Sequence, residues 1–243
     1  MSALQLLFVF AVAFTADAAS LESYGVSCPK DDPQLDTCFA NAVEKMRQHL
    51  IEGIPDLGMP AIDPLKLAEV KVDPLFGDWI KILLKNIKAD GAGKFRTANL
   101  KVNLKDNEFR GEVHIPFLAF EGDYNVDATV LNLSLKGNGS VKGNTTENCS
   151  EFVLKGDLEK RDGGRYFNFK QLKIKLIVKQ LKACVNGLIN GELVIGDAVR
   201  DTTGHQLDLW KFIKETIEQT LSEVALEVIN SVAKQINVDE LFP

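Results

Sequence analysis

Residues 207–236 contain neither glycine nor proline, and within them Trp210, Ile213, Ile217, Leu221, Val224, Val228 and Val232 fall at helical spacing along one stripe. Leu209, Phe212, Leu226 and Ile229 widen it. Such a helix would be roughly 45 Å long, because each residue advances the axis by about 1.5 Å. With so broad an apolar face it must lie against a large apolar surface rather than in solvent.

The sequence before it offers that surface. Ala98, Leu100, Val102 and Leu104 alternate with Asn99, Lys101, Asn103 and Lys105, the pattern of a sheet with one wet face. Leu131, Leu133 and Leu135 repeat it, and Phe152, Leu154 and Leu158 form another inward set. Arg165 to Cys184 is one long alternating run, with Leu172, Ile174, Leu176 and Val178 against Lys173, Lys175 and Lys179. Strands usually end after five or six residues, so runs of this length imply a large, strongly curved sheet. Near the start, Asp32-Pro33 reads as a helix opening and Gly53 as its stop. An amphipathic helix is predicted over residues 33–52, carrying Phe39, Ala42, Val43, Met46 and Leu50 on one face. With no low-complexity linker between these parts, the order reads as one α+β domain in which a curved antiparallel sheet wraps around helices.

The compartment is legible from other signals. Leu4 to Phe14 is an apolar run followed by Ala16 and Ala18, small residues two apart, so residues 1–19 read as a removed signal peptide and 20–243 as the mature domain. That run is too short to span a bilayer, and no later segment is long enough. A secreted, extracellular protein without a transmembrane segment is expected. The sequons at Asn132, Asn138, Asn144 and Asn148 agree with this, Asn148 being the poorest glycan acceptor because Cys149 follows it. Four cysteines remain, and an oxidising compartment favours disulfides. Cys28 and Cys38 pair across the bends of Pro29 and Pro33; Cys149 with Cys184 follows by elimination. A simple hairpin about Asp162 to Gly164 would instead set Cys149 near Leu176, so that second pairing requires a bulge or a curling strand end.

Chemistry is mostly excluded. The formal charge of −6 argues against a nucleic-acid partner. The three histidines, His49, His114 and His205, are scattered without a second ligand at metal spacing, so neither a metal nor another cofactor is expected. No Gly-x-Ser-x-Gly elbow occurs, and paired carboxylates such as Asp31 and Asp32 fall in polar turns. Lys170, Lys173, Lys175, Lys179 and Lys182 read as a solvated sheet face. What remains is apolar surface, either a filled core or the lining of a cavity.

The order of motifs resembles the takeout and juvenile-hormone-binding protein superfamily of insects. After the early cysteine pair and first helix comes GIPDLGMPAIDPLKL (residues 53–67), which closely resembles the family's Gly-Ile-Pro, Leu-Asp-Pro-Leu signature. IPFLAFEGDYNVDATVLNLSLKGNGSVKG (115–143) is similar to its strand block. KGDLEKRDGGRYFNFKQLKI (155–174), NGLINGELVIGD (186–197) and the final DELFP (239–243) resemble the takeout branch. The resemblance implies a TULIP-like module whose highly curved antiparallel sheet encloses an apolar tunnel around the long carboxy-terminal helix. It implies a monomeric carrier of a hydrophobic small molecule, such as a terpenoid hormone or long-chain lipid, and not an enzyme. It supports the Cys28–Cys38 bond, while Cys149 and Cys184 depart from the family pattern. On this basis the lining is expected from Leu100, Val102, Leu104, Phe117, Leu131, Leu133, Leu172, Ile174 and Leu176, with Trp210, Ile213, Ile217 and Leu221 from the helix and Tyr124 as a polar contact. The alternative is a secreted glycoprotein with a filled core that binds membrane surfaces or partners; a secreted hydrolase ranks third.

Overall fold

A computed structural model describes residues 27–72, 80–130, 133–189, 192–201 and 209–243. The signal-peptide assignment to residues 1–19 therefore lies outside the described residues. Seven strands form one antiparallel sheet: β1 Leu65–Val72, β2 Ile80–Asp90, β3 Arg96–Asn103, β4 Glu108–Val130, β5 Leu133–Arg161, β6 Gly164–Ile189 and β7 Glu192–Asp201. Their spatial order is β1-β2-β4-β5-β6-β7, with β3 pairing β4 beside β2. Helices α1 (Leu35–Lys45) and α2 (Arg47–Glu52) precede the sheet, and α3 (Leu209–Ala233) and α4 (Val238–Leu241) follow it.

The longest pairing, β5 with β6, is set by its turn. Arg161 faces Gly164, and the two residues between them, Asp162 and Gly163, have φ of 51° and 80°. Two successive positive φ values make the tight turn whose twist matches the flanking strands, and Asp-Gly is a preferred pair for it. A bulge at Lys155/Gly156 then shifts the register by one, so Cys149 faces Ile177 while Cys184 faces Lys142. No disulfide joins Cys149 and Cys184. Seven residues of strand separate them, which at about 3.3 Å per residue is far beyond disulfide reach. Cys28 and Cys38 are bonded, as their spacing predicts.

One row across the sheet changes the alternation. Pro116, Glu147 and Lys179 drop out of the otherwise continuous registers of β4, β5 and β6, and Glu147 has φ of 50°. Between the Lys155/Gly156 bulge and the row the buried members are Phe109, Leu154 and Leu172, while Phe167 and Phe169 are buried on the far side of the bulge; beyond the row they are Tyr124 and Thr145, with Leu181 and Val185 half-buried. The buried set thus passes from odd to even positions in β4 and from even to odd in β5 and β6. On the wet face, Lys155–Glu108, Lys175–Glu151, Lys179–Glu147 and Lys142–Glu121 pair across strands. These exposed pairs each contribute little, at most about 1 kcal/mol, but they give Lys175 and Lys179 of the lysine row partners within the sheet.

The core lies at the chain-terminus end. Phe109 is 5% exposed and packs against the rings of Phe39, Phe167, Phe169 and Phe242 at centroid distances of 5.4 to 6.3 Å. Cys28, Leu154, Leu172 and Val238 complete the cluster. The chain ends are stitched together there: Cys28 N donates to Leu241 O and Lys30 N to Pro243 O.

The helix predicted over 33–52 is two helices broken at Met46. Beside the break, Arg47 donates to the carbonyls of Gly93 and Phe95, stacks on the Phe95 ring and pairs with Glu44. The following segment is ordered but not simply extended. Ile54 and Met59 exchange backbone hydrogen bonds around a 3-10 turn at Pro55–Leu57 that buries Ile54 and Leu57. Asp63 then accepts from the amides of Gly91 and Gly93, which fixes the entry into β1.

Candidate ligand-binding site

Helix α3 lies along the edge that β6 exposes before β7 begins to pair. Asn230 meets Phe169 with both halves of its amide, accepting from the backbone N–H and donating to the carbonyl at 2.8 Å each. Glu218 accepts from Leu176 N at 2.6 Å. The helix thus satisfies edge groups that a further strand would otherwise pair. Between these two anchors lies an open groove of about 690 Å³, apolar at Phe152, Leu172, Ile174 and Leu226 but rimmed by polar and charged side chains including Lys170, Lys173, Glu218 and Glu223. A second groove, of about 590 Å³, borders α1 and is lined largely by polar side chains including Asp32, Gln34, Asn41 and Glu44.

Beyond the Glu147 row, two aromatic rings are set over glycines. Gly139 and Gly187 face each other on β5 and β6, so closely that a Cβ on either would come within 2.6 Å of the other's Cα. The Tyr124 hydroxyl lies 2.7 Å from where a Cβ on Gly187 would be, and the Phe120 ring 2.5 Å from one on Gly143. The glycines leave room for rings to lie across the strands. Tyr124 is 8% exposed, and its hydroxyl is buried with no hydrogen-bond partner among the described residues. Buried polar groups are nearly always paired, so an orphan of this kind calls for an explanation.

The expected lining residues divide into separate groups. Leu172 belongs to the aromatic core, and Val102, Leu104 and Ile174 pack against it. Leu100 is buried above Gly111, where a Cβ would meet its side chain. Tyr124 is buried at the opposite end; Leu176, Ile217 and Leu221 are half-buried. Phe117 is a correction: it is 45% exposed, because it falls just past the row where the buried set changes parity. Leu131 lies outside the described residues, as do the side chains of Leu133, Trp210 and Ile213. Of the sequons, Asn138 is exposed and Asn144 half-buried, while Asn132 lies outside the described residues. Asn148 is 8% exposed, and its amide nitrogen donates to the carbonyls of Ile115 and Thr145.

A cluster that spacing along the chain did not reveal lies on the sheet near this row. Glu112, His114 and Cys149 bring ligand atoms within 4.8 Å of one another. Hydrogen bonds from Asn99 and His114 hold the Glu112 carboxyl below its usual range. Burial pushes the Cys149 thiol up, and the charges of Glu112 and Glu151 push it further. The available signal was Glu-x-His within a strand, which puts two ligands on one face.

The sequence profile of haemolymph juvenile hormone binding protein (JHBP) matches residues 5–243. The chain belongs to that family. Among solved structures, Takeout 1 of Epiphyas postvittana is similar at a TM-score of 0.53 and 20% identity, covering 86% of this chain and 90% of that one. The likeness extends the JHBP assignment to the fold: a large antiparallel sheet with few helices and a long helix at the carboxy-terminal end. A lipopolysaccharide binding protein aligns over 88% of this chain and 39% of its own, at 12% identity and a TM-score of 0.29. No curated protein matches the chain.

Proposed function

We propose that this JHBP-family member is a secreted, monomeric, non-enzymatic carrier that holds a hydrophobic small molecule in an internal apolar tunnel. The ligand class is a terpenoid hormone-like compound, a fatty acid or another long-chain lipid. One observation carries this reading: the buried Tyr124 hydroxyl finds no hydrogen-bond partner among the described residues. A phenol in that position can bind the one polar group of an otherwise apolar ligand, which gains about 0.8 kcal/mol for each CH₂ removed from water.

Geometry supports an enclosing sheet. Helix α3 contacts both β6 and β1, strands four steps apart in the sheet order, which in a flat sheet would be roughly 19 Å. One helix reaches both if the sheet rolls around it. A straight strand as long as the 29-residue β5 would run roughly 95 Å, against a radius of gyration near 18 Å for a compact domain of this length. The tunnel is then bounded by α3 and the rings of Tyr124 and Phe120, with the aromatic core as its closed end.

The test is native mass spectrometry of protein purified from its source, followed by organic extraction. A stoichiometric apolar ligand, displaceable by an apolar fluorescent probe, is expected. Protein that carries no lipid and takes up no probe would overturn the carrier. A second reading, a secreted binder with a filled core, draws on Val102, Leu104, Leu172 and Ile174 belonging to packed core; absence of probe uptake is the result it predicts.

A further inference from the structure

We propose that Glu112, His114 and Cys149 form a site for one borderline divalent cation of the Zn²⁺ class, with a fourth position open to solvent. Glu112 and His114 occupy alternate positions of β4, so both side chains leave the same face. Cys149 is the direct cross-strand partner of His114. His114 Nε2 is 2.9 Å from Glu112 Oε2 and 3.8 Å from Cys149 Sγ.

Both contacts fall on the same ring nitrogen, and this decides between two chemistries. A nucleophile relay needs the thiol at one imidazole nitrogen and the orienting carboxylate at the other. Here one nitrogen faces both groups, so the arrangement is not a Cys-His-Glu relay. A nitrogen, a sulfur and a carboxylate oxygen directed at one point suit a metal ion instead. Tetrahedral zinc, with bonds of about 2.0–2.3 Å, sets nitrogen and oxygen roughly 3.4 Å apart and nitrogen and sulfur roughly 3.5 Å apart. The observed distances lie a few tenths of an ångström to either side. Small rotations close that gap, and His114 and Glu112, with side chains 44% and 30% exposed, have room for them.

The support around these ligands belongs to the same design. Asn99 donates from Nδ2 to Glu112 Oε1 at 2.7 Å, holding one carboxylate oxygen and leaving Oε2 toward His114. Asn99 has φ of 53° and falls in the irregularity between Ala98 and Lys101, where β3 slips one residue against β4. Bulges of this kind re-aim side chains, and outer-sphere hydrogen bonds of this kind orient metal ligands. Glu151 flanks the site but is paired with Lys175, while Arg96 faces His114 from β3 and tempers the affinity. The mixed sulfur, nitrogen and oxygen set favours Zn²⁺ over Mg²⁺ or Ca²⁺, which prefer oxygen alone.

The experiment uses the full mature chain stripped with a chelator, then titrated with Zn²⁺ by calorimetry and with Co²⁺ by absorption. One ion per chain is expected, with a thiolate-to-cobalt charge-transfer band in the near ultraviolet. Cys149→Ser should abolish the band and Cys184→Ser should keep it. His114→Gln should weaken Zn²⁺ at least tenfold, and Asn99→Ala roughly tenfold. Metal-free melting temperatures and circular dichroism establish that each variant folds. No stoichiometric binding by the parent chain, a band that persists in Cys149→Ser, or one lost in Cys184→Ser would each overturn the site.

Discussion

The two ends of the long strands are built on opposite principles. At the terminus end the inward face is dominated by rings: Phe109 touches four others, and the disulfide and the stitched chain ends close over them. Beyond Glu147 the same strands carry Gly139, Gly143 and Gly187 beneath Phe120 and Tyr124, and the Tyr124 hydroxyl is unpaired among the described residues. Close packing stabilises the first end; at the second, glycines let rings cross the strands and leave a buried hydroxyl that a ligand could pair. On the proposed function, one sheet divides stability and binding along its strands rather than between layers.

The division is broken most forcefully at Phe109. Phe109→Ala should cost about 3–5 kcal/mol, the range for removing a fully buried aromatic ring. Urea unfolding measures it. Probe affinity per folded molecule should remain at the parent value; a parallel loss of affinity would mean that the two ends are not separate.

At the other end, Gly139→Val places a side chain where a Cβ already meets Asn186 O at 2.2 Å and Gly187 Cα at 2.6 Å. A cost of about 1–3 kcal/mol is expected, as for other overpacked sites. Here the probe should be lost as well, even from the folded fraction isolated by gel filtration. Binding kept while stability is lost in one variant, and binding lost even from the folded protein in the other, is the sharpest form of the contrast.

Tyr124→Phe is gentler. Removing a hydroxyl that has no partner among the described residues should leave unfolding unchanged or raise stability by up to about 1 kcal/mol. Affinity for a ligand with a polar head should fall roughly threefold to tenfold, the worth of one neutral hydrogen bond, while a plain hydrocarbon binds as before. Equal loss for both ligands would remove Tyr124 from the polar end of the tunnel.

Much of this organisation was legible in the chain. The break-free stretch at 207–236 gives α3, the Asp-Gly pair gives the β5–β6 turn, and alternation gives the wet lysine face. Alternation tells which face a residue takes but not which residue lies opposite, because a one-residue slip leaves the local pattern intact. In the sequence Cys149 is paired with Cys184 only by elimination; the turn sets it near Leu176 and the bulge at Lys155/Gly156 moves it one residue, to Ile177, while its approach to His114 across β4 is invisible to alternation. Phe117 failed for a related reason. Its neighbours alternate correctly on each side of Pro116, but the buried set changes parity at that row, and nothing in the composition of Glu147 announces φ of 50°.

The smallest expected effect concerns how α1 is fastened to the terminus end. Asp36 accepts from the Lys101 ammonium and from Val102 N, an edge donor of β3, at 2.8 Å each. These bonds, with the nearby Arg110 charge, hold its carboxyl below the usual Asp range. A carboxyl lowered in the folded state binds its proton more readily in the unfolded chain. Its contribution is therefore complete above the ordinary Asp value, near 3.9, and fades as pH falls below it toward the lowered folded value. Because the side chain is 36% exposed, solvent screens most of the pair and the gain is modest. Asp36→Asn should lower stability slightly at pH 7, and the difference from the parent should vanish near pH 2 in paired urea titrations. A difference that stays constant with pH would assign the effect to packing of α1 rather than to the charge, and would leave the closed end held by its aromatic rings and disulfide alone.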